Sequence, residues 1–252
     1  MDCSHQLKLF PIRLRRTEPA PHDTANCKIV GIGDDGTVYY LKRLQDGHPL
    51  VLASEWIATR LAHAINLPTC PCFAAYLPDS EELVFASQQA QDIASEAQWL
   101  STLAQEGMLA KLAPALSQWY AFDLFTHNLD RHLGNYLFRN SPLGMALIGI
   151  DFGMALLAEG WPDTPPPIHP NSHTRRVQRQ LHSRQPYPIL DADDLLIRLG
   201  NVPDAWLGDE LQGVPDAWMS GTLRANLVQW WEQSRPQRLD LLRRNLADGR
   251  FL

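Results

Sequence analysis

Cysteine is scarce in this chain: four in 252 residues, at Cys3, Cys27, Cys70 and Cys72. So low a count excludes a small disulfide-stapled scaffold. Cys70 and Cys72 flank a single proline, a poor spacing for a zinc knuckle, and no second Cys or His pair stands at ligand spacing. The four are expected to be reduced thiols in a cytoplasmic protein. Long apolar runs are also missing. None reaches the roughly 18 residues that signal a transmembrane helix, so no membrane partner is expected. The stretch 1–17 scatters Arg and Lys and has no continuous apolar core, so no signal peptide is expected. An excess of positive charge is lacking too. The 22 Lys and Arg face 28 Asp and Glu, a net charge of −6, which argues against a whole-surface nucleic-acid footprint.

What is present is an ordinary globular composition. Apolar residues make up 45% of the chain and charged residues 20%, which excludes disorder. A chain of this length buries roughly 70–75% of its unfolded surface and supports a sizeable core. The length allows one large domain or two lobes.

Along the chain, the first 25 residues read as irregular, with Pro11, Pro19 and Pro21. Ile29, Val30 and Ile32, then Asp34-Asp35-Gly36, then 38–41 predict a β-hairpin that ends at Lys42. The next helix carries Trp56, Ile57, Leu61, Ala64 and Ile65 at helical spacing, with Glu55 beside that stripe and Asn66 and Pro68 closing it. Strands are expected over 73–77 and 83–86. Residues 26–88 thus read as a small sheet with one helix. From about residue 91 the pattern turns helical, with helices over 94–112 and 114–127. A loop, 128–134, follows, and then a second hairpin from 136–138 and 146–150. Residues 160–190 carry seven prolines and read as loop. Val-Pro-Asp-Ala-Trp occurs at 202–206 and again at 214–218, which predicts two successive helix starts, and 223–245 reads as the last helix. Trp206, Trp218, Trp230 and Trp231 are expected to be packing residues.

The chemistry concentrates in Asn128-Leu129-Asp130-Arg131-His132-Leu133-Gly134-Asn135 and Asp151-Phe152-Gly153. Asn135 enters the second hairpin and Asp151 leaves it. Paired strands lie about 4.8 Å apart, so an amide oxygen and a carboxylate converge, with Asp130 on the loop just before. Two such oxygens, completed by water and substrate phosphates, suit Mg²⁺. Asp130 is left to orient a hydroxyl nucleophile and accept its proton. A base Asp, an Asn five residues on and an Asp opening Asp-Phe-Gly form a phosphotransferase arrangement. Lys42 at a strand end and Glu55 on the next helix can supply the cation for nucleotide phosphates and its ion-pair partner.

In these residues, and in the run Glu55-Trp56-Ile57-Ala58-Thr59-Arg60-Leu61-Ala62 leading to Leu67-Pro68, the chain resembles the HipA-like kinases of the protein-kinase-like superfamily. The Asp-Arg-His order is also similar to that of phosphatidylinositol 3- and 4-kinases. The resemblance spans roughly 25–155. It implies an α+β, two-lobed kinase-like fold, with a small β-rich lobe over 20–90 and a larger helical lobe over 91–252. It implies ATP and Mg²⁺ as cofactors and a Ser or Thr of a protein as phosphoryl acceptor. Asp130 would be the catalytic base, Asn135 and Asp151 the Mg²⁺ ligands, Lys42 the phosphate lysine and Glu55 its partner. Arg131 is expected near the site, meeting phosphate or pairing with a carboxylate. His132 is either catalytic or a loop brace bonded to carbonyls near Asp151.

The chain departs from the usual kinase pattern in two places. No His-Arg-Asp occurs, Asn128 standing two before Asp130, and no Ala-Pro-Glu follows Asp151. For a phosphate-binding loop, Gly31, Gly33 and Gly36 are the nearest glycines, and Thr24, Asn26 and adjacent amides are alternative phosphate contacts. Residues 164–190 hold no acid but carry Arg175, Arg176, Arg179 and Arg184 with His169, His173 and His182. That local basic patch is either a solvated loop or a docking segment for an acidic, phosphorylated or nucleic-acid-bearing partner. A lipid or small-molecule kinase and a catalytically silent binding module are the alternative functions.

Overall fold

The computed structural model describes residues 11–24, 27–46, 50–141, 144–157, 172–184 and 191–248, and the structural statements below concern these residues. Strands β1 (Ile12–Thr24), β2 (Cys27–Gly33) and β3 (Val38–Lys42) precede helix α1 (Val51–Ala64), and β4 (Cys72–Tyr76) and β5 (Leu83–Gln88) follow it. The five strands close into a barrel in the order β1-β2-β3-β5-β4, with only the closing β1–β4 pair parallel. Leu14, Tyr39, Leu41, Ala75, Val84 and Ala86 fill the interior. Gly31 belongs to that packing: a Cβ there would lie 2.6 Å from Leu14 Cδ1 and 3.1 Å from Leu41 Cδ1. It serves close strand approach in the barrel.

The closed barrel corrects the expectation of an irregular N-terminus and a small sheet confined to 26–88. β1 tolerates Pro19 and Pro21 because its register slips between Pro19 and Thr24, and beyond Arg13 its second edge has no partner strand among the described residues. α1 forms where expected, but is buried on nearly every side, Glu55 included.

The rest of the described chain is helical apart from one hairpin. It comprises α2 (Glu96–Leu103), α3 (Met108–Phe125), β6 (Tyr136–Ser141), β7 (Gly144–Gly149), α4 (His173–Arg184), α5 (Asp191–Gly200), α6 (Trp206–Leu211) and α7 (Gly221–Ala247). The break between α2 and α3 falls at Gly107, whose φ of +74° suits glycine, and not at Pro114. Pro114 lies inside α3, where burial of Leu109, Leu112, Ala113 and Leu116 holds the helix across the lost backbone bond.

α4 corrects the loop expected over 160–190. It does so over 173–184, where Thr174, Gln178 and Leu181 recur on its buried side, whereas 160–171 and 185–190, with all the prolines of the expected loop, lie outside the described residues. The two Val-Pro-Asp-Ala-Trp copies also diverge. The first leads into α6. The second forms only a turn, Trp218 N–H bonding to Pro215 O at 3.0 Å, and α7 starts afterwards with Ser220 as its cap. Trp218, Trp230 and Trp231 are buried in the main core, and Trp206 packs half-buried against Trp231. No helix among the described residues is long and apolar enough to cross a membrane.

β7 ends against α3. A Cβ on Gly149 would lie 2.6 Å from Cη2 of Trp119, whose side chain is fully buried and has nowhere to swing. Gly149→Ala is expected to cost about 1–3 kcal/mol by overpacking. Urea unfolding checks this, and an unshifted midpoint would contradict it.

Candidate active site

The loop after α3 is built around a buried guanidinium. α3 delivers Asp123 into the core, and Arg131 forks onto it, Nε to Oδ2 at 2.8 Å and Nη2 to Oδ1 at 3.0 Å. Arg131 also donates through Nη1 to Asn135 O at 3.0 Å and to Ile150 O. Trp119, Tyr136 and Phe152 present ring faces to its guanidinium. Burial pushes the Asp123 carboxyl up in spite of Arg131, and Arg131 itself is lifted above its usual range because Asp123 outweighs burial. Asn128 Nδ2 donates to Asp123 Oδ1 at 2.8 Å, so loop and helix share one polar core. Of the two expected roles for Arg131, pairing with a carboxylate is the one observed. At 1% exposure it braces the site and has no open path to phosphate.

The hairpin then brings its two ends together as its register requires. Tyr136 pairs with Gly149, and Ile150 N–H donates to Asn135 O at 3.0 Å. Asp151 follows with φ of +60°, a left-handed backbone that costs a non-glycine residue about 1–2 kcal/mol and here aims its carboxylate at the barrel. Phe152 is buried against Trp119 and Phe122, each ring centroid 5.8 Å away, and anchors the turn.

On the barrel side, β3 ends at Lys42 and α1 carries Glu55. Lys42 Nζ bonds Glu55 Oε1 directly and donates to Asp151 Oδ1 at 2.7 Å. The Phe152 N–H also reaches the Glu55 carboxylate. Burial disfavours the Lys42 charge, but Glu55 and Asp151 more than offset it and hold the ammonium above its ordinary range. Burial pushes Glu55 up despite Lys42. For Asp151 burial acts the same way, yet Lys42 outweighs it and holds the carboxyl well below the usual range. The Asp151 side chain is 40% exposed where it meets the lysine.

Asn135 is buried, and its Nδ2 donates to Asp130 O at 3.1 Å. Its Oδ1 accepts no hydrogen bond among the described residues and is available, with Asp151, to a hard cation. No group of three or more His, Cys, Asp or Glu side chains able to hold a metal occurs among the described residues. Two oxygen donors with water and phosphate suffice for Mg²⁺, so the donor set fits that ion. Asp130 is half-exposed, and its Oδ1 sits 3.1 Å from Nδ1 of His173, the first residue of α4.

His132 is exposed, and its Nδ1 accepts from Gly134 N–H at 3.2 Å. It steadies its own turn, which corrects the expected bond to carbonyls near Asp151. Arg131 makes those bonds. The expected phosphate contacts at Asn26 and the Thr24 side chain lie outside the described residues, as does His169. Asp123, His173 and Thr174 were not foreseen as parts of this site. Asp123 had a signal: it is the only charged side chain between Lys111 and Asp130.

Lys42, Glu55, Asn135, Asp151 and the Asp130 loop therefore stand together on a barrel-and-helix fold of the protein-kinase-like class. The chain belongs to the HipA-like kinase family, whose sequence profile matches residues 26–224. No curated protein matches it by sequence. Among solved structures it is similar to the proinflammatory kinase CtkA of Helicobacter pylori, at a TM-score of 0.61 and 14% identity, covering 95% of this chain and 99% of that one. HipA of Shewanella oneidensis MR-1, solved with HipB and operator DNA, gives a TM-score of 0.47 and 15% identity over 82% of this chain and 58% of that chain. The kinase domain of PknI from Mycobacterium tuberculosis gives 0.38 and 12% over 88% and 95%.

Lys42→Met leaves Glu55 buried without its cation. Breaking such a pair costs about 3–5 kcal/mol. Glu55 then titrates well above its unfolded value of about 4.3, so folding takes up a proton between the two values. Stability lost to the substitution is therefore small at acid pH and grows as pH rises. Urea unfolding near pH 5 and near pH 8 should show the larger deficit at the higher pH, and equal deficits would contradict the buried pairing.

Proposed function

We propose that this protein transfers the γ-phosphoryl group of ATP, with Mg²⁺, to the hydroxyl of a protein Ser or Thr. The observation that carries the reading is the meeting of Lys42, Glu55 and Asp151 beside Asn135, with Asp130 on the adjoining loop. In this reading the barrel with α1, which begins at Ile12 and so extends the expected 20–90 lobe toward the N-terminus, and the helical remainder, about 91–252, act as two lobes that hold the nucleotide phosphates between them. A cytoplasmic location goes with it, in keeping with Cys27, Cys70 and Cys72 as thiols.

The residues divide the work by charge and position. Lys42, kept cationic by two carboxylates, offsets charge on the nucleotide phosphates. Glu55 fixes the lysine's direction. Asn135 and Asp151 would hold Mg²⁺, which when bound would neutralise charge developing on the phosphates. Asp130 keeps Oδ2 open while His173 engages Oδ1, so the acceptor hydroxyl donates to Oδ2 and gives up its proton there as its oxygen bonds the γ-phosphorus and the bond from that phosphorus to the β–γ bridging oxygen breaks, releasing ADP. Arg131 and Asp123 take no part in the transfer and hold the loop at the right depth.

Incubation with labelled ATP and separate protein, lipid and metabolite pools tests the reading. Label is expected in protein Ser or Thr, and label confined to lipid or metabolite would contradict that acceptor. Asp130→Asn should lower transfer by about 10²–10⁴. It should still gain thermal stability from ATP with Mg²⁺, because a ligand of the folded form alone raises its stability. Equal transfer by the variant and the wild type would remove Asp130 from the mechanism.

A further inference from the structure

α4 is fastened to the Asp130 loop by its first two residues. Thr174 Oγ1 donates to Asn128 O at 2.6 Å and accepts from Arg131 N–H at 2.9 Å. His173 N–H donates to Leu129 O at 2.8 Å, and its Nδ1 meets Asp130 Oδ1 at 3.1 Å. Four consecutive loop residues, 128–131, are thus held by two residues of one helix. These contacts tie the loop directly to the start of α4.

The rest of α4 runs outward from that anchor with a consistent face. His173, Arg176, Arg179, Gln180, Ser183 and Arg184 are exposed, whereas Thr174, Gln178 and Leu181 are buried. At 3.6 residues per turn the exposed set forms one stripe, and it carries three guanidiniums. The helix contains no acidic residue. Arg175 and Arg179 lie one turn apart, and Arg175 is depressed by burial and then by Arg179. Like charges at that spacing destabilise a helix.

We propose that this stripe is a docking surface for the acceptor polypeptide, reading carboxylates on the segment next to the phosphorylated hydroxyl. The inference rests on the phosphotransfer reading above and names the substrate class of that site. The stripe begins at the residue that touches Asp130, so a chain whose hydroxyl sits at Asp130 is led onto it. A helix rises about 1.5 Å per residue, which places Arg176, Arg179 and Arg184 roughly 4.5, 9 and 16 Å along the axis from His173. An extended chain advances about 3.3 Å per residue. The three arginines therefore match side chains about one to two, three and five residues from the acceptor. Guanidinium forks pair bidentately with carboxylates at such sites. An acidic peptide is favoured over nucleic acid because the chain as a whole carries −6, which repels a long polyanion beyond a local stripe.

The test uses the full chain, labelled ATP with Mg²⁺, and three peptides that share one serine in an Ala and Gly background. They carry Asp, Ala or Lys at about two, three and five residues from the serine on both sides. The wild type is expected to favour the Asp peptide over the Ala peptide roughly tenfold in kcat/KM, mostly through KM. A variant with Arg176→Glu, Arg179→Glu and Arg184→Glu is expected to reverse the order and prefer the Lys peptide, which a misfolded protein does not do. Equal use of all three peptides by the wild type, or an unchanged order in the variant, overturns the inference and leaves the kinase reading standing. ADP release without label on any peptide does the same. Neither ADP release nor label overturns both. Binding of duplex DNA more tightly than polyglutamate, lost in the variant, would assign the stripe to nucleic acid and overturn the inference.

Discussion

The placement of Arg131 is the constraint on which the rest of the site depends. One guanidinium, buried to 1% exposure, joins α3 through Asp123, the start of the hairpin through Asn135 O and its end through Ile150 O. Those three attachments set the depth of Asp130, the amide of Asn135 and the left-handed turn at Asp151. Removing one member of such a buried pair leaves an uncompensated charge, so the cost falls on the fold and on the site together. The aromatic faces of Trp119, Tyr136 and Phe152 close around the same guanidinium and give it a fixed orientation. α7 supports the arrangement from behind: Arg238 donates to Phe125 O at 2.7 Å and Leu124 O at 2.8 Å, capping α3 just before the loop begins.

A second set of charges ties the barrel to this assembly. Lys42 ends a barrel strand, Glu55 lies on the buried helix that follows, and Asp151 leaves the hairpin. The lysine is more than a hundred residues away from Asp151 in sequence, so its contact reports the tertiary fold directly. The barrel and the helices also share apolar packing, since Ala74 of β4 and Phe85 of β5 belong to one continuous core with Leu52, Ile57, Trp119, Leu195 and Leu242, apart from the cluster inside the barrel. Arg60 and Glu210, paired at 3.0 Å, add a further link between α1 and α6. A site made from such separated pieces is held by burial on both sides.

Much of this was legible in the amino-acid sequence, for a physical reason. Asn135 and Asp151 flank a hairpin, and antiparallel pairing brings hairpin ends together whatever else the chain does. Lys42 and Glu55 stand at the end of one element and inside the next, where the apolar stripe of α1 dictates burial. Other features were not local and were misread. β1 was hidden by Pro19 and Pro21, which a strand accepts where its register slips. α4 was hidden by the proline-rich composition of the sequence over 160–190, although Thr174, Gln178 and Leu181 already carried its period. The break before α3 was placed at Pro114 when Gly107 makes it. The roles of Arg131 and His132 depended on which side chain turned inward, and that was decided by Asp123, the one acid on α3.

The proposed convergence of Asn135 and Asp151 on one cation beside Lys42 is most directly tested by a crystal structure with Mn²⁺ in place of Mg²⁺ and a non-hydrolysable ATP analogue. An anomalous peak at about 2.2 Å from both Asn135 Oδ1 and the Asp151 carboxylate, with the lysine on the phosphates, is the expected result. A peak bound elsewhere, or a nucleotide seated away from Lys42, would contradict it.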